Sequence, residues 1–473
     1  DFIKSTQEKT YQKLEQQFGG ETDTKLFKRI TSEIDNRGVI DVLRNGVKTR
    51  GCLFYLVYFE PKSGLNEEHQ ELYRHNQFSL VRQLKYSKKN ENSIDIGIFV
   101  NGIPIVMLEL KNELTGQNHE HGIKQWKNDR DPIEPLFRFK RNLVYFSVGN
   151  DKVYMTTRLL KDKTFFLPFN KGIDNPINPS GGYKTHYIWE ETLQPSSLLD
   201  LIENFVHIRT ETEKIFDPKK QQVVEKKKDV LIFPRYHQFN VLRRLKQSVV
   251  NEGVGNNYLI QHTTGSGKSL SIGWLSHILS SLYRNPTDTK RMFDSIIVIT
   301  DRRVLDKQIR NTIQQLEQTK GVVSSVDKDS QQLKEFLEQG KSIIVTTVQK
   351  FPVISSSISK LTSKNFGVII DEVHSSQSGE TSKHLKKSLS KSLLENYTEG
   401  DEEDLTNVDK RILDEISSRG KQEHISYFGF SGTPKNKTLE IFGRKNEDGE
   451  FHPFDLYSMK QSIGEGFTLD ILK

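Results

Sequence analysis

Residues 261–269 read QHTTGSGKS, between an apolar run at 257–261 and a helix-compatible run at 270–281. Gly265 and Gly267 allow the backbone to curl with its N–H groups converging on phosphate oxygens, at a helix N-terminus that already favours anions. Thr264 and Ser266 complete the loop. Lys268 supplies a point charge for β and γ phosphates, and the Ser269 hydroxyl is a ligand for Mg2+. The strict G-x-x-x-x-G-K-[ST] spacing has glycine where this chain has His262. Further on, the apolar run 367–370 ends in Asp371-Glu372-Val373-His374. Carboxylates at the carboxyl end of such a strand meet a nucleotide's metal ion: Asp371 would hold it through water, and Glu372 would orient and deprotonate an attacking water. The expected ligands are ATP and Mg2+.

A second set of groups lies upstream. Two β-rich runs between Ser93 and Leu110 flank Asn101-Gly102, a strong hairpin signal. Asp95 sits early in the first run and Glu109-Leu110-Lys111 late in the second, with Glu109 and Lys111 on one face by alternation. Two carboxylates and a lysine suit phosphodiester hydrolysis: Asp95 and Glu109 as Mg2+ ligands, Lys111 as the stabiliser of developing charge. Register imposes a condition. A two-residue turn at Asn101-Gly102 pairs Asp95 with Leu108 and sends it to the face away from Glu109. A three-residue loop or a β-bulge sets Asp95 across from Glu109, so this chemistry requires one or the other. The run 103–108 (IPIVML) is apolar enough to be buried, which separates this hairpin from a merely solvated one. Gln125-Trp126 follows in a helical stretch, and Glu8 lies in an N-terminal helical pattern; both are further candidates.

The elements that position these groups form an α/β chain. Short apolar strands at 257–261, 295–300, 342–346, 367–370 and 425–430, separated by helical segments, predict a doubly wound parallel sheet with ligands at the strands' carboxyl ends. The region before them is mixed α/β. Residues 175–183 (NPINPSGGY) read as a loop, and 217–229 (DPKKQQVVEKKKD) as a charged linker between domains.

Length and composition bound the rest. The 473 residues suit two or three domains, and 34% hydrophobic residues suit a globular chain. The longest apolar stretch, 52–59, is too short to span a bilayer. One cysteine excludes an intrachain disulfide, no signal-peptide pattern opens the chain, and a cytoplasmic protein is expected. A formal net charge of +7 permits a polyanionic partner without demonstrating one. The thirteen histidines show no zinc-ligand spacing. The acidic run 399–404 reads as surface loop. A start at Asp1 and an end within an apolar pattern suggest a piece of a longer protein.

Six blocks occur in the order of superfamily 2 helicase motifs and resemble them: RYHQ at 235–238, HTTGSGKS, DRRVLDKQ at 301–308, TTVQKF at 346–351, DEVH, and FSGTP at 430–434. The resemblance implies a first RecA-like domain in which Gln238 reads adenine, Arg302 and Thr346-Thr347 neighbour the DNA backbone, and Thr433 within Ser431-Gly432-Thr433 links hydrolysis to motion. It also tolerates His262 in place of glycine. About forty residues follow Pro434, too few for a second RecA-like domain with its arginine finger, so nucleotide binding without appreciable hydrolysis is expected. Asp95, Glu109 and Lys111 resemble the PD-(D/E)xK nuclease pattern. There Gln125 stands at the place of a glutamine in related nucleases, without the tyrosine four residues on, and Glu8 is an additional acidic ligand in the RecB-like manner.

Nuclease, junction and motor in this order resemble the restriction (R) subunit of type I restriction-modification enzymes. The implied domains are a mixed-sheet PD-(D/E)xK endonuclease domain at 1–216, a charged linker at 217–229, a RecA-like domain at 230–456, and the start of a connection to a second RecA-like domain at 457–473. The implied activity is ATP-dependent translocation and cleavage of double-stranded DNA, with methyltransferase and specificity subunits as partners and no membrane. The competing readings are a stand-alone helicase or translocase whose N-terminal domain only binds DNA, and a non-enzymatic DNA-binding module.

Overall fold

The computed structural model describes residues 1–63, 66–217, 222–300, 303–317, 321–326, 330–372 and 407–469. The chain divides into two compact units, Asp1–Asn240 and Val241–Lys473.

The first unit is built on a six-stranded mixed sheet of β1 (Phe78–Lys85), β2 (Ser93–Val100), β3 (Ile103–Leu110), β4 (Val144–Val148), β5 (Val153–Thr156) and β6 (Leu167–Pro168), in that order across the sheet. All neighbours are antiparallel except β3 and β4, which run parallel. That one crossover is made by α1 (His119–Asn128), as a parallel connection requires. Trp126 and Phe137 bury against Ile94, Met107 and Tyr145 of the sheet, and the Trp126 indole N–H donates to the Phe146 carbonyl at 3.0 Å. This anchor sets the rotation of α1.

The β2–β3 turn has two residues, Asn101 (φ 49°) and Gly102 (φ 80°), the left-handed pair that hairpin twist demands. Asn101 is tied in place by its side chain, which donates to the Leu56 carbonyl and accepts from the Gln77 amide. Two strands past the sheet, β7 (His207–Asp217) and β8 (Gln222–Ile232) form an antiparallel ribbon. The charged linker expected at 217–229 is therefore, over its described residues, a strand. Its lysines pair across the ribbon, Lys226 with Glu213 and Lys228 with Glu211, while Lys228 also bridges diagonally to Glu213 at 3.0 Å. The compact unit accordingly extends to Asn240 rather than to 216.

The second unit holds a seven-stranded, all-parallel sheet: β9 (Asn257–His262), β10 (Ser295–Thr300), β11 (Val323–Ser325), β12 (Ile343–Thr347), β13 (Phe366–Asp371), β14 (Ile425–Ser431) and β15 (Asp455–Tyr457). Their order is β11-β12-β10-β13-β14-β9-β15. The central strands are buried along their whole length, Ile297, Ile299, Ile344, Val368 and Ile370 among them, because helices cover both faces. Among the described residues no helix is long and apolar enough to cross a membrane.

Candidate functional sites

Near the turn β2 and β3 follow the two-residue register, Val100 against Ile103 and Phe99 against Pro104; beyond it Ile98 faces Val106 and Ile96 faces Leu108. Ile105 is the extra residue of a β-bulge. Pro104 has no N–H to give the ladder, so pairing is weakest there and the slack collects beside it. The Ile105 carbonyl is taken instead by the Leu143 amide at 3.0 Å. The shift carries Asp95 to the position across from Glu109, meeting the condition the sequence set.

Asp95, Glu109 and Lys111 converge. The Lys111 Nζ lies 3.7 Å from Asp95 Oδ2 and 3.8 Å from Glu109 Oε2, between the carboxylates and bonded tightly to neither. The Leu110 amide donates to Asp95 Oδ2 at 2.8 Å, and Gln83 Nε2 to Oδ1 at 3.1 Å. Glu109 is fully buried. Burial pushes its carboxyl up to about 7, with Arg130 and Lys111 pulling it back down and Asp95 pushing it further up. Arg130 is the group the sequence reading missed. Its Nε and Nη2 reach Glu109 Oε1 at 3.0 and 2.5 Å, and Nη2 also donates to the Ser93 carbonyl at 2.8 Å. No helical spacing pointed there, because Arg130 lies beyond the end of α1 and its C-cap Asp129.

Glu109 Oε2 is buried with no hydrogen-bond partner. An orphaned carboxylate oxygen facing a second carboxylate and a lysine fits a divalent cation, since hard cations take carboxylate oxygens. Gln125 lies half-buried on α1. Glu8 is exposed at the start of the helix Glu8–Phe18, where Gln12 donates to its Oε1 at 3.0 Å.

In the second unit β9 leads through the loop 263–267 into α3 (Lys268–Ser280). Gly265 (φ 82°) and Gly267 (φ 83°) adopt the left-handed backbone that glycine permits. Gly267 is the N-cap of α3 without a side-chain cap, so the first-turn amides of Lys268 and Ser269 present an anion site. Lys268 Nζ donates to the His262 carbonyl at 3.2 Å and lies 2.9 Å from Glu372 Oε1. Asp371 ends β13, buried, and Glu372 follows it at φ 53°, an uncommon backbone for a non-glycine residue. Gly432, after β14, faces the same place: a Cβ there would stand 3.8 Å from Lys268 Nζ. Thr433 is exposed beside it, and Thr264 is exposed and Ser266 buried within the loop. These groups fit a nucleotide's phosphates and their metal ion. Gln238 belongs to the first unit, where it is buried at the start of α2 (Tyr236–Glu252) and accepts from the Arg235 amide at 3.0 Å. Arg302, Val373, His374 and the run 399–404 lie outside the described residues.

Fold and sites define a class: a mixed-sheet nuclease-type domain followed by a RecA-like ATPase domain. Residues 3–164 match the family model of the type I restriction enzyme R protein N terminus, and residues 237–399 that of the SWI2/SNF2 ATPase. Among curated proteins, the chain is 24% identical over 449 residues to the type I restriction enzyme SauCOLORF180P endonuclease subunit of Staphylococcus aureus (strain COL), covering 90% of this chain and 40% of that protein. It is 27% identical over 423 residues to the HindI endonuclease subunit of Haemophilus influenzae, covering 85% and 35%. Of solved structures, a Sulfolobus solfataricus SWI2/SNF2 ATPase core in complex with dsDNA aligns with a TM-score of 0.27 at 16% identity, over 45% of this chain and 35% of that one. The chain is thus similar along most of its length to endonuclease subunits of type I restriction enzymes, and it spans 35–40% of the length of these two curated relatives.

Proposed function

We propose that the chain supplies the DNA-cleaving site and half of the ATP site of a type I restriction endonuclease, which moves double-stranded DNA at the expense of ATP and cuts it. Convergence of Asp95, Glu109 and Lys111 through the bulge at Ile105 carries this reading. Asp95 and Glu109 Oε2 would hold Mg2+, which when bound supplies an activated water and screens charge at the phosphate. Lys111 would neutralise charge developing on the non-bridging oxygens. Gln125 on α1 and Glu8 are further candidates for that site.

In the second unit Lys268 and the amides of Thr264, Gly265, Ser266 and Gly267 would bind the phosphates, Ser269 and Asp371 would hold Mg2+, and Glu372 would take the proton of the attacking water. Gln238 would read adenine, and Arg302 and Thr433 would serve DNA contact and coupling. The partners are methyltransferase and specificity subunits and duplex DNA.

The test is cleavage by the assembled full-length enzyme. Asp95→Asn and Lys111→Ala abolish cleavage while nucleotide binding and ATPase activity persist. Cleavage surviving both substitutions favours the competing reading, a translocase whose first domain only binds DNA.

A further inference from the structure

His262 occupies the place of a consensus glycine, yet its backbone needs none: it is the last residue of β9 and does not have positive φ. Its imidazole is fully buried, an environment that costs free energy unless the ring is hydrogen-bonded. The partner comes from β15. His262 Nε2 lies 2.8 Å from Asp455 Oδ1, and Asp455 Oδ2 accepts from Arg244 Nη1 at 2.6 Å. Backbone pairing adds to this: His262 is in register with Tyr457, and the Thr263 amide donates to the Tyr457 carbonyl at 3.1 Å.

The residues after β15 return to the same loop. α4 (Met459–Gly464) is braced internally by Tyr457 to Glu465 Oε2 at 2.6 Å and Gln461 to Glu465 Oε1 at 2.9 Å. Thr468 Oγ1 then reaches Ser462 Oγ at 2.6 Å and the Thr264 carbonyl at 3.4 Å. A Cβ on Gly265 would lie 3.3 Å from Thr468 Oγ1 and 3.4 Å from the Phe467 carbonyl. Residues 455–468 thus hold the first part of the phosphate loop, from His262 to Gly265. The lysine that would meet the phosphates is itself bonded to the His262 carbonyl, so one residue joins Lys268 through its backbone and the segment through its side chain.

We propose that His262 and Asp455 are positioning residues that latch segment 455–468 onto the phosphate loop, so that nucleotide binding and docking of the segment strengthen one another. Such coupling is reciprocal: whatever loosens the segment weakens nucleotide affinity by the factor by which nucleotide tightens the segment. The proposal rests on the nucleotide-binding reading of the loop.

The test uses the full chain, a fluorescent ATP analogue with Mg2+, and hydrogen exchange. His262→Gly, which restores the consensus residue, weakens binding about tenfold, as does Asp455→Ala; the double variant is no weaker than the worse single one. His262→Gln, which keeps a donor, recovers most of the loss. In the unsubstituted chain nucleotide slows exchange across 455–468. Wild-type affinity in His262→Gly, additive losses in the double variant, or unchanged exchange on adding nucleotide each overturn the latch. Absence of binding by the unsubstituted chain overturns the nucleotide reading itself.

Discussion

Arg130 grips one oxygen of Glu109 and leaves the other without a hydrogen bond, 3.8 Å from the Lys111 ammonium. The guanidinium and the carboxylate are both almost entirely out of water, where an ion pair of good geometry roughly offsets its desolvation and a lone charge does not. Arg130→Gln should therefore destabilise the first unit by about 3–5 kcal/mol. Pairing it with Glu109→Gln should recover much of that loss. Urea unfolding of the two variants decides; equal destabilisation by the double variant would show that the pair's packing, not its charge balance, is what matters.

The bulge makes a sharper demand. Deleting Ile105 restores unbroken two-residue register and turns Asp95 to the face opposite Glu109. Cleavage by the assembled enzyme should be lost, while nucleotide affinity, a property of the other unit, stays within about twofold. Residual cleavage near the parent rate would mean that Asp95 does not act with Glu109.

In the loop 263–267 site, Glu372 stands 2.9 Å from Lys268 and would compete with a bound phosphate for it. Glu372→Gln removes the competing charge. It should bind nucleotide about twofold to tenfold more tightly yet abolish turnover in the full enzyme, whereas Lys268→Ala should weaken binding at least tenfold. Equilibrium titration and phosphate release separate the two effects.

A buried histidine predicts acid sensitivity. Burial holds the His207 imidazole down at about 4, opposed by its bond to the Phe205 carbonyl and helped by the Arg44 and Arg209 charges. The unfolded chain, at about 6.5, takes up that proton first. Stability is fully present above about 6.5 and is lost as pH falls toward about 4, by roughly 3 kcal/mol from this residue. Thermal melts between pH 7 and 4.5 should show the fall, and His207→Gln should flatten it; an unchanged slope would assign the acid sensitivity to other groups.

Five of the seven strands of the parallel sheet were legible to within about a residue, because strands covered on both faces are uninterrupted apolar runs. β11 and β15 were not: each has three residues, and Val323-Ser324-Ser325 and Asp455-Leu456-Tyr457 carry no such run. The ribbon of β7 and β8 was misread as a linker since its alternating charges look like solvation until the partner strand is known, when Lys226 meets Glu213 and Glu225 meets Lys214. In the first site the three groups that converge, Asp95, Glu109 and Lys111, could be read from residue type and spacing. The register shift between β2 and β3 and the arrival of Arg130 from beyond the end of α1 depend on contacts between elements, which spacing along a strand does not encode.

The extra residue at Ile105 turns the hairpin into an odd-even counter. Adding or removing one residue between Asp95 and Glu109 exchanges inside for outside, whereas a change of two leaves the facing pair intact. Length variation in this hairpin among cleaving relatives should therefore come in twos, and a relative that differs by one should either carry a compensating irregularity or have stopped cutting.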